Sequence, residues 1–442
     1  MKTKMITIGG IMLAIAAAFT LAARLITVPY PSEVPGLNAA DVAWVSMSAG
    51  LVMLMTPALG FFYGGLVRHK NLVSTIVQCL TIFAVATVVW TLWGYSLAFA
   101  PSHGGFVGGL KYLMLRGVGT APDKDYAATI PALSFYFFQM KFAAITPALI
   151  IGAFAERIKF RSLLAFIVVW ATVVYSPVAH WVWGVGGWLR NLGALDFAGG
   201  TVVHVLAGVS ALAAALVIGR RWTADSESPP CNVPFVILGA ALLWFGWFGF
   251  NAGSALAMNA VAVNALVVTN LAAAVATLSW MAVDWYLNGK PTATGAATGA
   301  VCGLVAITPA AGFVDLPGAM VIGLLAGVIC SFTVQILNRT RLDDTLDVFA
   351  CHGVGGMWGA LATGIFAQKL VNPAGADGLL YGNPRQFLVQ MVAVGAPALW
   401  GFLMSAAIMK LIDWVMGLRV SPEEEQIGLD FTQHGEYAFW FE

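Results

Sequence analysis

The feature that most constrains this chain is a succession of apolar runs separated by short polar connections. Eleven of them begin near Val42, Leu72, Pro131, Ser162, Gly199, Val233, Ala260, Ala293, Pro317, Val348 and Phe387. Most extend for about 20 residues, enough at ~1.5 Å per residue for a helix to cross the hydrocarbon core of a bilayer. Backbone amides in lipid find no water to bond, so segments of this kind must satisfy themselves as helices. Composition agrees, because 60% of the residues are hydrophobic and 10% charged, too few polar groups to cover a soluble domain. The expected fold class is an all-α polytopic membrane protein with the lipid bilayer as its surroundings. A net charge of +1 and the absence of any basic run point away from nucleic acid. The five cysteines stand singly with no CxxC pair, so they read as packing residues and not as a disulfide framework.

The N-terminus begins MKTK and continues apolar to Ala23 with small residues at its end. Residues 1–23 therefore read as a signal peptide, with an uncleaved first helix as the competing reading. Residues 24–40 would then be an external segment, 41–415 the membrane domain and 416–442 a cytoplasmic tail. Arg68-His69-Lys70, Glu156–Arg161, Arg220-Arg221, Lys290 and Arg339–Arg341 fall on one side of the expected spans. That basic side is expected to face the cytoplasm, which puts the N-terminus outside and the C-terminus inside a multi-pass protein of the cell (inner) membrane.

Within this apolar chain, DFAGGTVVHVLAG at Asp196–Gly208 is echoed by DTLDVFACHGVGG at Asp344–Gly356. In each, a histidine follows an aspartate by eight residues and small residues follow the histidine. An intramembrane ionisable side chain is costly, so two in matching places indicate a site. His204 falls in the fifth expected span and His352 in the tenth. Five spans is an odd number, which makes the two halves an inverted repeat and brings equivalent residues together near the midplane. His204 and His352 are therefore expected to face one another. Asp196 and Asp344 lie where a carboxylate can cap a helix start, with Asp347 a competitor for the second cap.

Further runs stand out along the chain: FFYGGLVRHKN at Phe61–Asn71, FAAITPALIIGAFAERIKF at Phe142–Phe160, AHWVWGVGGWL at Ala179–Leu189 and GALDFAGGTVVH at Gly193–His204. WFGFNAGSA at Trp247–Ala255, DVFACHGVGG at Asp347–Gly356 and GLRVSPEEEQIGLDFTQHGEYAF at Gly417–Phe439 complete the set. Together these runs resemble the ammonium transporter family (Amt/MEP), bacterial ammonia channels most of all. The resemblance implies eleven transmembrane helices, an inverted 5+5 repeat plus a closing helix, and a homotrimer with a pore through each subunit. It implies a pore histidine pair at His204 and His352, a phenylalanine gate at Phe142 and Phe250, and ammonium recruitment by Trp183, Ser254 and Phe138. Asp196, Thr201, Asp344 and Trp247 become supports, and Tyr63 and Val348 pore wall. The tail, with Leu429, Asp430, His434 and Gly435, resembles one that packs on neighbouring subunits and meets a PII-family signal protein. No cofactor, no bound metal and no enzymatic activity are implied.

The implied chemistry is physically coherent. Ammonium has four N–H donors, and aromatic faces with a serine hydroxyl suit such a cation. An apolar pore excludes a bare cation but admits ammonia, so selection works through loss of a proton, which potassium cannot undergo. Lys141, about 60° around the helix from Phe138, departs from the family pattern. It would either repel ammonium at the vestibule or lay its stem towards headgroups or a subunit interface. Cys351 beside His352 supplies too few ligands for a metal. The alternatives are an ammonium sensor using the same pocket with little flux, an Rh-type gas channel, and a membrane haem protein ligated by the two histidines. A sensor would be expected to carry an appended output domain, for which the tail leaves little chain.

Overall fold

The computed structural model describes residues 12, 13, 16, 17, 20, 34–222, 224 and 229–439. The leader expected at 1–23 falls almost wholly outside them. Eleven helical segments follow in order: α1 (Ala39–Leu66), α2 (His69–Phe99), α3 (Ala132–Phe154), α4 (Phe160–Leu192), α5 (Gly200–Ile218), α6 (Val233–Ala255), α7 (Ala260–Asn288), α8 (Ala293–Ile307), α9 (Leu316–Leu337), α10 (349–366) and α11 (Pro384–Met416). Among the described residues nine are long and apolar enough to cross a membrane; α8, at 15 residues, and the glycine-rich α10 are the others. The tail carries two short helices, α12 (Pro422–Ile427) and α13 (Leu429–His434).

The helix starts follow from local chemistry. Asn38, Asn259, Thr292 and Asp315 each accept a backbone N–H from the first turn of α1, α7, α8 and α9. Pro317 sits in the first turn of α9, where its missing N–H costs nothing. The all-α expectation needs one addition. The long connection between α2 and α3 folds into two small antiparallel hairpins, Ser102–His103 with Val107–Gly108 and Pro122–Asp123 with Ala127–Pro131.

Four of the helices contain a wide π-helical turn: Trp90–Gly94 in α2, Ala171–Tyr175 in α4, Gly200–Val205 in α5 and Phe349–Val354 in α10. Such turns are rare and collect at functional sites. The last two carry His204 and His352. They pack reciprocally: α5 lies against the wide turn of α10, and α10 against that of α5. Glycines make this possible. A Cβ on Gly208, four residues after His204, would lie 2.1 Å from the amide nitrogen of Gly353. One on Gly356, four residues after His352, would lie 3.0 Å from the Cβ of His204. Each histidine helix thus presses a glycine against the backbone beside the other histidine, as an inverted repeat requires.

At the end of the molecule that carries the tail, the connections are tied by buried charge. Glu156 is fully buried, with its backbone in the left-handed region at φ 71°. It accepts the Arg68 backbone N–H and Nε–H, both at 2.7 Å, and pairs with Arg221 at 3.2 Å. Arg221 pairs in turn with Asp343 at 2.9 Å. Arg157, also fully buried, donates to the carbonyls of Gly219 and Asp343 at 2.9 and 2.7 Å. The connections after α1, α3, α5 and α9 are thereby joined.

The tail docks onto its own chain. Arg419 pairs with Glu425 at 2.7 Å, and Glu425 accepts the Trp222 N–H at 2.8 Å. Asp430 accepts the N–H groups of Val73 and Ser74 at 3.1 and 2.7 Å, capping the first turn of α2. The Leu429 N–H reaches Asn71 Oδ1 at 2.8 Å.

Burial by itself would raise the Glu156 carboxyl, but the Arg68 hydrogen bond and the charges of Arg221 and Arg68 outweigh it and hold it below its ordinary range. Asp343, raised by burial, is likewise brought below its ordinary value by Arg157 and Arg221. A carboxyl depressed on folding stabilises the protein above its unfolded pKa of about 4, and that contribution is lost as the pH falls through the folded value. Glu156→Gln should therefore cost on the order of 3 kcal/mol at neutral pH by removing the buried carboxylate that Arg68 and Arg221 share. It should also flatten the acid limb of the stability profile. Thermal unfolding in detergent across pH 3–7 measures both; a wild-type midpoint with a wild-type acid limb would mean that the cluster does not hold these connections.

Candidate functional site

The site grows from the start of α5. The segment 193–199 is irregular, and its backbone groups must find partners without a helix or a sheet. Asp196 serves the last N–H of that segment, on Gly199, and the first three of α5. Its Oδ1 accepts the N–H groups of Gly199 and Gly200 at 2.8 and 2.6 Å, and its Oδ2 those of Thr201 and Val202 at 2.9 and 3.1 Å. Those are the donors a helix start leaves unbonded. The same role falls to Asp344 in the second half, where Oδ2 accepts the Phe349 N–H at 2.6 Å. Asp347 does not compete for this cap; its backbone sits at φ 57° and its carbonyl accepts the Cys351 N–H.

Held in this way, the two imidazoles face each other. His204 Nδ1 and His352 Nδ1 are 3.2 Å apart, and the rings are 22° from parallel with centroids 5.2 Å apart. One hydrogen fits between the two nitrogens, so one ring donates and the other accepts. An iron atom does not fit there, which removes the bis-histidine haem reading. His204 Nε2 is buried with no partner in the protein. It borders a narrow cavity of about 10 Å³ that His352 also lines and whose remaining walls are mostly apolar, among them Leu59, Ile145, Leu243 and Val301. Trp247 and Phe250 cover the other face of His204, with centroids 5.3 and 5.9 Å away. Trp247 is fixed by its indole N–H, which donates to Thr308 Oγ1 at 2.8 Å.

Phe142 and Phe250 lie between the pair and the next cavity, with ring centroids 4.4 Å apart and planes tilted by 43°. Beyond them opens a vestibule of about 270 Å³ lined by Trp183, Ser254, Phe142, Gln139, Tyr126 and Phe135, among others. Ser254 Oγ donates to the Phe250 carbonyl at 2.8 Å, which leaves its lone pairs as acceptors. The Trp183 indole donates to the Asp196 carbonyl at 3.0 Å, which leaves its ring face for a ligand.

Some expected residues take other places. Phe138 is fully buried behind Phe142, edge to face at 5.0 Å, and is not on the vestibule wall. Residues 135, 139 and 142 face the vestibule; 138 stands about 40° beyond 142 on the side away from 139, at the flank of that face. Lys141 does not reach the vestibule either. Its ammonium lies over the exposed Phe137 ring at 3.7 Å and near Phe83 at 5.2 Å, on the outer flank of α3. Tyr63 and Val348 do not line the histidine chamber. They meet one turn further along α1, around Gly152, where the Tyr63 hydroxyl donates to the Leu149 carbonyl at 3.0 Å. Thr201 stands beneath Asp196 with its own hydroxyl buried and unpartnered. Cys351 packs with Cys302, Cys330 and Trp280 in a small buried cluster.

Sequence reasoning missed Gln139. Its Oε1 is buried without a hydrogen-bond partner, and the residue lines the vestibule beside Phe142. A lone amide in an otherwise apolar helix face was the signal that could have found it.

The chain matches the family model described as Ammonium Transporter Family over residues 43–439. It is 49% identical over 400 residues to the ammonium transporter of Bacillus subtilis, covering 90% of this chain and 98% of that one. The crystal structure of Candida albicans Mep2 superposes with a TM-score of 0.84 at 38% identity, with 91% of each chain covered. A structure titled Sensor Amt Protein superposes with a TM-score of 0.81 at 31% identity, covering 89% of this chain and 98% of that one. Sequence, fold and the paired histidine helices agree: the chain belongs to the ammonium transporter family.

Proposed function

We propose that this protein carries ammonium across the cell membrane by capturing the cation in the vestibule, passing its proton to vestibule water and letting ammonia through beside the histidine pair. The observation that carries the mechanism is the unpartnered Nε2 of His204 in a narrow, mostly apolar cavity, next to a shared Nδ1–Nδ1 contact of 3.2 Å. Ammonium entering the vestibule finds the acceptors Ser254 Oγ and Gln139 Oε1 and the faces of Trp183 and Phe142. A cation held over aromatic faces gains roughly 0.5–2 kcal/mol from each good contact. Phe142 and Phe250 then stop hydrated ions. Beyond them a charged species meets walls with almost no polar atoms, a penalty of many kcal/mol, so the neutral molecule is what proceeds. Ammonia can hydrogen-bond His204 Nε2 while the Nδ1 pair keeps both rings in register. Potassium has no proton to lose and is refused at the same step.

The vestibule would face outside and the basic, tail-bearing end the cytoplasm, in keeping with the distribution of Lys and Arg. A homotrimer and a PII-family protein at the tail end complete this reading, on the family resemblance of the chain and its tail. An ammonium sensor is the second reading, favoured by the likeness to the Sensor Amt Protein structure.

Uptake and current in liposomes containing the purified protein test the proposal, with ammonium, methylammonium and potassium compared. Ammonium flux with potassium excluded is expected; equal potassium flux sinks the proton-loss filter, and ammonium binding without flux selects the sensor. His204→Ala or His352→Ala should reduce ammonium-over-potassium discrimination at least about tenfold, ~1.4 kcal/mol, while the protein stays folded. Unchanged discrimination in both variants would make the pair structural. Ser254→Ala should raise the half-saturating ammonium concentration about fivefold by removing one hydrogen bond worth ~1 kcal/mol; an unchanged value would take Ser254 out of capture.

A further inference from the structure

Gln390 lies on α11, outside both halves of the repeat, and is fully buried. Its Nε2 donates to the carbonyl of Leu195 at 2.8 Å and to that of Ala360 at 2.9 Å. Its Oε1 accepts the N–H of Leu195 at 2.8 Å. Both main-chain groups of one residue thus end on one side chain, and both N–H donors of the amide are used.

The placement gives this clamp a consequence. Leu195 immediately precedes Asp196, whose carbonyl holds the Trp183 indole and whose carboxylate caps the wide turn bearing His204. Ala360 lies on α10, eight residues after His352. One amide therefore spans the irregular segment that carries the first histidine helix and the helix that carries the second. Irregular backbone at membrane depth survives only where its polar groups are satisfied, so losing the amide leaves both main-chain groups of Leu195 without these partners and removes the extra bond to the helical carbonyl of Ala360. Gln386, one turn earlier on α11, touches the same loop more loosely, with a single bond from Nε2 to the Gly193 carbonyl at 3.0 Å.

We propose that Gln390 is a positioning residue for ammonium selection, fixing the capture ring of Trp183 and the His204–His352 pair relative to one another through Leu195, Asp196 and Ala360. This inference rests on the transport reading above. It assigns to the closing helix a part in substrate discrimination, in addition to its packing.

The test uses full-length protein in liposomes, comparing wild type, Gln390→Met, Gln386→Met and Trp183→Phe, each normalised to folded protein. The readouts are the half-saturating ammonium concentration and the ammonium-to-potassium current ratio, which a residue that only supports folding would not move. Gln390→Met should raise the first roughly threefold to tenfold and lower the second, for the loss of buried hydrogen bonds. Its effect should be non-additive with Trp183→Phe, because both act on the same stretch of backbone. Gln386→Met should stay near wild type. The proposal is overturned if Gln390→Met changes only the amount of folded protein, if Gln386→Met shifts both readouts equally, or if the double variant is additive. Should Gln390→Met yield no folded protein, Gln390→Glu decides by the same readouts, since it keeps the shape and the acceptor for Leu195 but not both donors. Wild type without ammonium current defeats the transport reading instead; ammonium binding by calorimetry to wild type and Gln390→Met then decides the positioning role.

Discussion

Asp196 takes four consecutive backbone N–H groups onto two oxygens, and much of the site hangs from that arrangement. A helix that begins inside an apolar protein has donors that nothing in lipid can satisfy. A carboxylate satisfies several at once, complements the positive end of the helix dipole, and needs no counter-ion of its own. With its first amides held by a side chain, the turn that follows is π-helical, and this turn presents His204 towards the passage. Asp344 repeats the device with a single bond to Phe349 ahead of His352. The histidines are thus aimed from their helix starts, and the apolar walls around them provide no polar atom that could draw them elsewhere.

The two halves then have to meet closely enough for a nitrogen-to-nitrogen contact. Gly208 and Gly356 allow it by removing side chains where each helix crosses the backbone beside the opposite histidine. Reciprocal contact of this kind makes the pair depend equally on both halves. At the tail-bearing end a different force does the joining. Glu156, Arg221 and Asp343 link the connections between helices through buried charge, and the tail is fastened by Glu425 and Asp430. Packing of small residues holds the middle of the molecule, and ion pairs with hydrogen bonds hold that end.

Selection in such a site follows from the order of its surfaces. Acceptors and aromatic faces come first, then two phenylalanine rings in tilted contact, then a narrow cavity whose polar lining is the two imidazoles. Under the proposed function a cation is welcomed by the first surface and refused by the third. On that reading, displacements of Trp183, Phe250 or the histidines would change which species passes, which gives a role to hydrogen bonds far from the passage, such as those of Trp247 to Thr308 and of Gln390 to Leu195.

Much was legible in the chain itself. Apolar runs placed all eleven helices within a few residues, because the cost of an unsatisfied amide in lipid leaves little freedom in how such a run can fold. The aspartate-to-histidine echo paired His204 with His352, because an odd number of helices between repeats inverts them and makes like positions meet. Other features lay beyond sequence reasoning. Phe138 and Gln139 are neighbours in the chain, yet the rotation of α3 hides the first and shows the second to the vestibule. Lys141 went to an aromatic flank instead of the vestibule for the same reason. The wide turns under both histidines, and the reach of Gln390 across 195 positions to Leu195, depend on how separate helices are packed. Local periodicity and burial cost determine which segments become helices; the rotation of each helix and its long-range polar bonds are set only when all of them pack against one another.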